Sequence, residues 1–321
     1  MSEDDFWVDP DQPAYGLGEH VGKTRGRYHF PDPPGYERPK DQAAGWMRMT
    51  NLAAAFSDQI RLQHWRERMI LLGLREDEVL FDELAAAPIE TMDPKEAKDW
   101  LEKHADRAAS VAKADQGARR GTARHLMLQT YLEQGVIVGT RSMRLQLESL
   151  LEALERHELD VIPDFVERRV CNTAFRVMGT LDMGVLCRRT GQRGILDLKT
   201  QRSFWSYLEI SGQQYGYDSA EWVWEGPPDT SGRWVRPPVW DLLGTPGGPA
   251  PGKRVALLAH MPQEPGPNQL PVELHEVSLE FGHRVLTCAM ENVRLRSIGQ
   301  AVSPARRIGG RRELASLAIG K

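Results

Sequence analysis

Cysteine is scarce in this chain. Cys171, Cys187 and Cys288 lie far apart and make no Cys-x-x-Cys pair. That excludes a disulfide framework and a cysteine-ligated zinc or iron–sulfur site, and leaves buried free thiols as the reading. Long apolar runs are missing too; none approaches the roughly 20 residues needed to cross a bilayer. The first residues, Met1-Ser-Glu-Asp-Asp, are acidic and unlike a secretory signal, so the expectation is a soluble, cytoplasmic protein with no membrane partner. The pattern Gly-x-x-x-x-Gly-Lys-Ser/Thr does not occur, which excludes a P-loop motor. No internal repeat is evident.

What is present is ordinary globular composition, 40% hydrophobic and 27% charged, in 321 residues. That is room for one domain with a flanking subdomain, or for two small domains. The net charge of −4 does not by itself point to nucleic acid, but its distribution is uneven. Residues 1–12 hold five acids and no base, whereas 294–321 hold six Arg, one Lys and one Glu. A basic tail suits a phosphate backbone, although on charge alone a solvated surface is the simpler reading.

Composition divides the chain. Residues 1–43, rich in Pro, Gly and charge, predict an arm that wraps the surface or is partly disordered. A helical subdomain is expected over 44–110. Within 58–72, Leu62, Trp65, Met69 and Leu72 fall at helical spacing, predicting a core-facing stripe with Gly73 as a stop. Asp93-Pro94-Lys95-Glu96 reads as an N-cap, a first-turn proline and a capping-box acid.

Helices are expected over 119–133 and 142–156, strands over 164–173, 176–187 and 194–200, and a helix over 205–223. Seven prolines and six glycines in 226–252 predict an exposed insertion with no packed element. Two further strands, 255–259 and 272–279, and a helix over 281–297 close the pattern, leaving 301–321 as a basic tail.

The chemistry concentrates at Asp197-Leu198-Lys199, inside the apolar strand pattern 195–200. Strand side chains alternate, so Asp197 and Lys199 share one face. Two charges facing the same way from such a strand require partners or a ligand. If Thr190-Gly191 centres a two-residue hairpin, Asp182 lies opposite Lys199 and diagonal to Asp197. An exposed Asp–Lys cross-strand pair is the bland alternative, and would contribute little. Two carboxylates and an ammonium at one point also suit phosphodiester hydrolysis, which needs a divalent cation on oxygen ligands, an activated water and stabilisation of developing charge.

The order of the surrounding motifs carries a resemblance. Gly121-Thr122-Ala123-Arg124-His125, Gly179-Thr180-Leu181-Asp182, Asp197-Leu198-Lys199-Thr200 and Gln213-Gln214-Tyr215-Gly216-Tyr217 follow one another on helix, strand, strand and helix. Together they resemble the PD-(D/E)XK nucleases of the RecB-like exonuclease family, most like those encoded by actinobacterial phages. Motifs cover about 115–220. Met49-Thr50-Asn51, Trp65-x-x-Arg68 and Leu257-Leu258-Ala259-His260 extend the likeness more loosely.

The resemblance implies an α/β restriction-endonuclease-like core over 111–300: a mixed sheet flanked by helices, preceded by the helical subdomain. It implies Mg²⁺ or Mn²⁺ held by His125, Asp182, Asp197 and the Leu198 backbone carbonyl, with Glu167 a further candidate ligand. Lys199 would orient or deprotonate the attacking water and offset developing charge, with charge stabilisation favoured over base duty because a lysine beside two carboxylates tends to stay protonated. Gly121 would let its helix approach the sheet. Gln213 and Tyr217, one turn apart, would contact phosphate or base, with helix packing the alternative for Tyr217.

DNA is the implied substrate, phage recombination or DNA processing the setting, and a single-strand annealing or recombination protein a candidate partner. An endonuclease or junction resolvase, or a non-catalytic DNA-binding or assembly protein, fits the same core. The iron–sulfur branch of the family is excluded, because only Cys288 lies in the C-terminal third. Arg119, Arg120, Arg124, Arg168, Arg169, Arg188 and Arg189 suggest a phosphate-tracking groove, and Trp234 with Arg236 a base-stacking pair.

Overall fold

The computed structural model describes residues 27–39, 45–55, 60–200, 206–226, 231–236, 255–262 and 271–301. Residues 1–26 of the N-terminal arm and 302–321 of the basic tail lie outside them, as do most of the Pro/Gly-rich insertion and residues 201–205.

The fold is mixed α/β, a mixed open sheet flanked by helices. Strands β3 (Leu159–Asn172), β4 (Val177–Cys187) and β5 (Arg193–Lys199) form an antiparallel meander. β8 (Val255–His260) then pairs parallel with β5, and β9 (Glu273–Val277) closes that end antiparallel to β8. On the other side β6 (Trp222–Glu225) pairs with β3, and β7 (Arg233–Val235) with β6.

The remaining two strands are short. β1 (Arg27–Tyr28) pairs with β2 (Trp46–Arg48), and β2 runs parallel to the first residues of β4, Val177 and Met178. The same edge of β4 meets β5 only from Met183 onward. Between these two partners, Gly179–Asp182 has no ladder partner on that edge among the described residues. The opening lies where the Gly-x-x-Asp motif falls.

Two apolar layers cover the sheet. Helices α5 (Gln116–Gln134) and α6 (Arg141–Arg156) bury Met127, Leu128, Leu147 and Leu150 against Met183, Leu196, Leu198 and Ala259. On the opposite face α1 (Met49–Ala54), α7 (Tyr207–Asp218) and α8 (Leu279–Ala301) pack Met49, Leu52, Ile210 and Leu286 on Ile195, Ala256 and Leu258. Burial at about 25 cal/mol per Å² makes these layers the main source of stability. α1 fits closely because residue 216 is glycine; a Cβ there would overlap Met49 Sδ. β2 and α1 thus join the sheet and its cover rather than the helices that follow them.

Those helices, α2 (Ile60–Glu76), α3 (Glu78–Ala86) and α4 (Pro94–Val111), pack on one another. Asp93 caps α4 through the Lys95 and Glu96 N–H groups with Pro94 in the first turn, as its sequence predicts. Two expectations fail here. Gly73 does not end α2 but lies inside it, where a Cβ would overlap the Ala108 carbonyl of α4, so it serves helix contact. The predicted core stripe is also half wrong: Leu62 is 47% and Trp65 45% exposed, while Met69 and Leu72 are partly buried.

Elsewhere the differences have local causes. The helix expected over 205–223 stops at Asp218, and Trp222-Val-Trp takes the extended form that suits aromatic and β-branched side chains. The insertion does hold a packed element, β7, whose Trp234 is 5% exposed. Residues 27–39 run over the surface and are pinned by Phe30, which is buried among Trp46, Trp222, Trp224 and Trp234.

The hairpin register also shifts. Met183 pairs with Leu196 and Leu186 with Arg193, and the Cys187 N–H donates to the Gln192 carbonyl. Four residues, Arg188 to Gly191, therefore form the loop, with Gly191 at φ +65°. One step past the last pair, Asp182 comes across from Asp197 instead of Lys199. A shift of two preserves the alternation, so the shared face survives.

Candidate metal centre

The opening in β4 gathers side chains from five elements. Asp182, at its end, turns a carboxylate oxygen to the Leu198 N–H at 2.7 Å, so a side chain takes over where the ladder stops. Asp197 is 1% exposed, and the Lys199 ammonium lies 2.5 Å from its Oδ2. That oxygen is buried and receives no aligned hydrogen bond, while Oδ1 accepts one from Gln213 Nε2 at 3.3 Å. A buried carboxylate oxygen met only by an ammonium is the donor chemistry a hard cation takes.

His125 enters from α5. Its Nδ1 lies 3.4 Å from Glu167 Oε1 and 3.7 Å from Asp182 Oδ1. Ligand atoms of His125, Glu167 and Asp182 all fall within 4.8 Å of one another, a grouping that fits a metal ion. α5 sits close here because residue 121 is glycine; a Cβ would come within 2.8 Å of Thr200 Oγ1. Glu167 sits inside β3, just past an irregularity between Ile162 and Val166, with φ +49°. A non-glycine residue in the left-handed region is strained, and here the bulge aims its carboxylate at His125.

α7 closes the other side. Gln213 Nε2 also donates to the Tyr217 hydroxyl at 3.1 Å. Tyr217 is 3% exposed and takes the packing role: its ring fills the space beside Gly179, where a Cβ would overlap it. Its hydroxyl is tied to the centre through Gln213 and lies in the field of Asp197 and Asp182. The glycine of Gly-x-x-Asp is thereby explained by the tyrosine of Gln-x-x-x-Tyr. Glu209, one turn before Gln213 on the same face, adds negative field at Lys199. Sequence reasoning missed it, although the i, i+4, i+8 spacing of Glu209, Gln213 and Tyr217 was the available signal.

The electrostatics follow from packing like charges in a dry place. Burial raises the Asp197 pKa to about 6, against the opposing pull of Lys199. Burial also raises Asp182, with His125 opposing it and Glu167 adding to it. For His125 burial alone would lower the pKa; Asp182 and Glu167 outweigh it and carry the imidazole up to about 9. Lys199 is likewise raised, burial being overcome by Asp197 and Asp182, so its ammonium stays charged. Three carboxylates held by one imidazolium and one ammonium form a cluster in which a divalent ion can replace protons.

The basic set is less unified than its sequence suggests. Arg124 is 5% exposed and donates to Gln146 Oε1 at 2.7 Å, joining α5 to α6 instead of facing a ligand. Arg188 pairs with Glu155 and Asp160, Arg189 with Glu158 and Arg119 with Asp115. Arg169 lies over the Phe30 ring. Trp234 is no stacking platform, since it is buried with its Nε1 donating to the Pro31 carbonyl, and Arg236 covers Trp222 instead.

A comparison with models of known protein families finds no match, and none of the curated proteins matches the chain either. Among the described residues no helix is long and apolar enough to cross a membrane. The three cysteines are free, differ in burial and form no cluster for an iron–sulfur centre.

Proposed function

We propose that this chain is a metal-dependent DNA nuclease on a PD-(D/E)XK, restriction-endonuclease-like core, acting as a RecB-like exonuclease in phage recombination or DNA processing. One observation carries the reading: His125, Glu167, Asp182, Asp197, Lys199 and Gln213 converge from five elements at the gap in β4's edge. An exposed salt bridge, the bland reading of Asp-x-Lys, does not account for a carboxylate only 1% exposed that meets the Lys199 ammonium in a buried cluster.

His125, Asp182 and Asp197, with Glu167 and the Leu198 carbonyl, would hold Mg²⁺ or Mn²⁺. When bound, the ion supplies Lewis acidity and lowers the pKa of water. The residues of the chain do the positioning. Asp182 is fixed by the Leu198 N–H and Asp197 by Gln213, which Tyr217 holds from behind. Lys199 keeps a positive charge beside the carboxylates, where charge would develop on the phosphate. It orients a water rather than deprotonating it, because its own proton is held tightly.

The test is cleavage of end-labelled linear DNA beside closed circular DNA with Mg²⁺, Mn²⁺ or EDTA, for wild type and Lys199→Ala. The expected result is metal-dependent loss of the linear substrate alone, abolished by the substitution. Cutting of the circle moves the assignment to an endonuclease or junction resolvase. DNA binding without cleavage under any metal overturns it in favour of a binding or assembly protein.

A further inference from the structure

A second ligand set stands on β8 and β9, outside the centre just described. His260 is the last residue of β8, and Glu273, the first of β9, lies directly across from it. His275 follows two residues later on β9, hence on the same face of the strand, opposite Leu258. None of the three was singled out from the sequence as a ligand. The signal was a histidine ending an apolar strand, followed by Glu-x-His at the two-residue spacing of the next.

Ligand atoms of His260, Glu273 and His275 all lie within 4.8 Å of one another. Ligands of one tetrahedral zinc, at about 2.0–2.1 Å from the ion, stand roughly 3.4 Å apart. His275 Nε2 and Glu273 Oε2 already have that spacing, at 3.4 Å. The two imidazole rings lie beside one another, with centroids 6.4 Å apart. Access exists as well: the side chains of His275 and Glu273 are 32% and 35% exposed, while His260, 2% exposed, forms the floor.

The placement bears on the first centre. β8 lies parallel to β5 with His260 beside Lys199, and the Met261 N–H donates to the Lys199 carbonyl at 2.8 Å. β9 is the last strand of the sheet and is held by β8 alone among the described strands. A cross-link between them would therefore brace the end of the strand on which the Lys199 backbone rests.

We propose that His260, Glu273 and His275 form a second metal site, selective for a borderline transition-metal ion and best suited to Zn²⁺. Two imidazoles and one carboxylate favour such an ion over Mg²⁺, which prefers an all-oxygen set. The site shares no ligand with the His125 cluster, so it stands or falls independently of the nuclease reading.

Zinc uptake by the full chain, stripped with chelator and dialysed against Zn²⁺, separates the two centres. His275→Ala and Glu273→Gln, both at half-exposed positions, should each lose one zinc equivalent relative to wild type. Asp182→Asn should keep that equivalent. Cobalt replaces zinc as a coloured probe: Asp182→Asn protein loaded with Co²⁺ should show visible ligand-field bands that are lost on adding His275→Ala. Equal zinc in wild type and His275→Ala, or a colourless Co²⁺-treated Asp182→Asn protein, overturns the proposal even if a variant proves unstable.

Discussion

Asp182 accepts the Leu198 N–H at 2.7 Å, placing a carboxylate where the β4–β5 ladder would otherwise continue. One residue thus does two jobs, ending the strand pairing and turning its second oxygen toward His125. The jobs separate chemically, since an amide oxygen can accept the same hydrogen bond without the charge.

For Asp182→Asn we therefore expect opposite effects on stability and activity. Removing one of three crowded carboxylates relieves a burial penalty, so the metal-free protein should melt higher by about 1 kcal/mol equivalent. Cleavage should fall by at least about 100-fold, because a charged ligand and its field are lost. Thermal melts and single-turnover cleavage on the same preparation check both; a lower melting point would contradict the electrostatic account.

The Gly179–Tyr217 contact gives a second pair of variants. Gly179→Ala forces a Cβ into the tyrosine ring, and overpacking of that kind costs about 1–3 kcal/mol. Tyr217→Phe keeps the packing and removes only the acceptor for Gln213, so stability should hold while kcat drops about 10-fold. Denaturant unfolding with cleavage kinetics distinguishes them, and equal destabilisation by both would remove the positioning role given to the hydroxyl.

Metal and protons compete for the same groups, and the direction follows from the raised pKa values. His125 titrates near 9 in the folded chain against about 6.5 unfolded, so its stabilisation is complete below 6.5 and lost as pH rises through 9. Asp197, raised to about 6, also binds its proton more tightly when folded, and its contribution is lost between about 4 and 6. Metal-free protein should lose stability steadily from pH 6 to 9. Added Mn²⁺ should raise the melting temperature more at pH 9 than at pH 6, as fewer protons must be displaced. Fluorimetric melts across that range, with and without Mn²⁺, measure both slopes.

Arg124→Met tests burial against DNA contact. The guanidinium joins α5 to α6 through Gln146, so the change should cost about 1–3 kcal/mol and leave DNA affinity within about twofold. Filter binding at two salt concentrations decides; a fall in affinity with a smaller salt dependence would return Arg124 to the phosphate-contacting set.

Much of this centre was legible because its chemistry is encoded locally. Alternation alone put Asp197 and Lys199 on one face, and one helical turn separates Gln213 from Tyr217. The hairpin register was not, because a four-residue loop and a two-residue turn read alike at Arg-Arg-Thr-Gly until the backbone is seen. Leu62 and Trp65 misled for another reason: periodicity shows that a helix has an apolar face, not whether anything covers it. The buried fates of Arg124 and Trp234 depend on neighbours 22 and 203 residues away, beyond any local pattern.

The pairing of β2 with β4 has a consequence for where this molecule can be cut. Val177 and Met178 rely on Met47 and Arg48 for their outer edge, and the hollow at Gly216 is filled by Met49. A fragment starting at 111, where the sequence resemblance begins the core, would lose the strand that bounds one side of the opening and the side chain that seats α7. The smallest autonomous piece must therefore reach back before residue 46. By that measure α2, α3 and α4 lie in the chain between two segments that the sheet holds together.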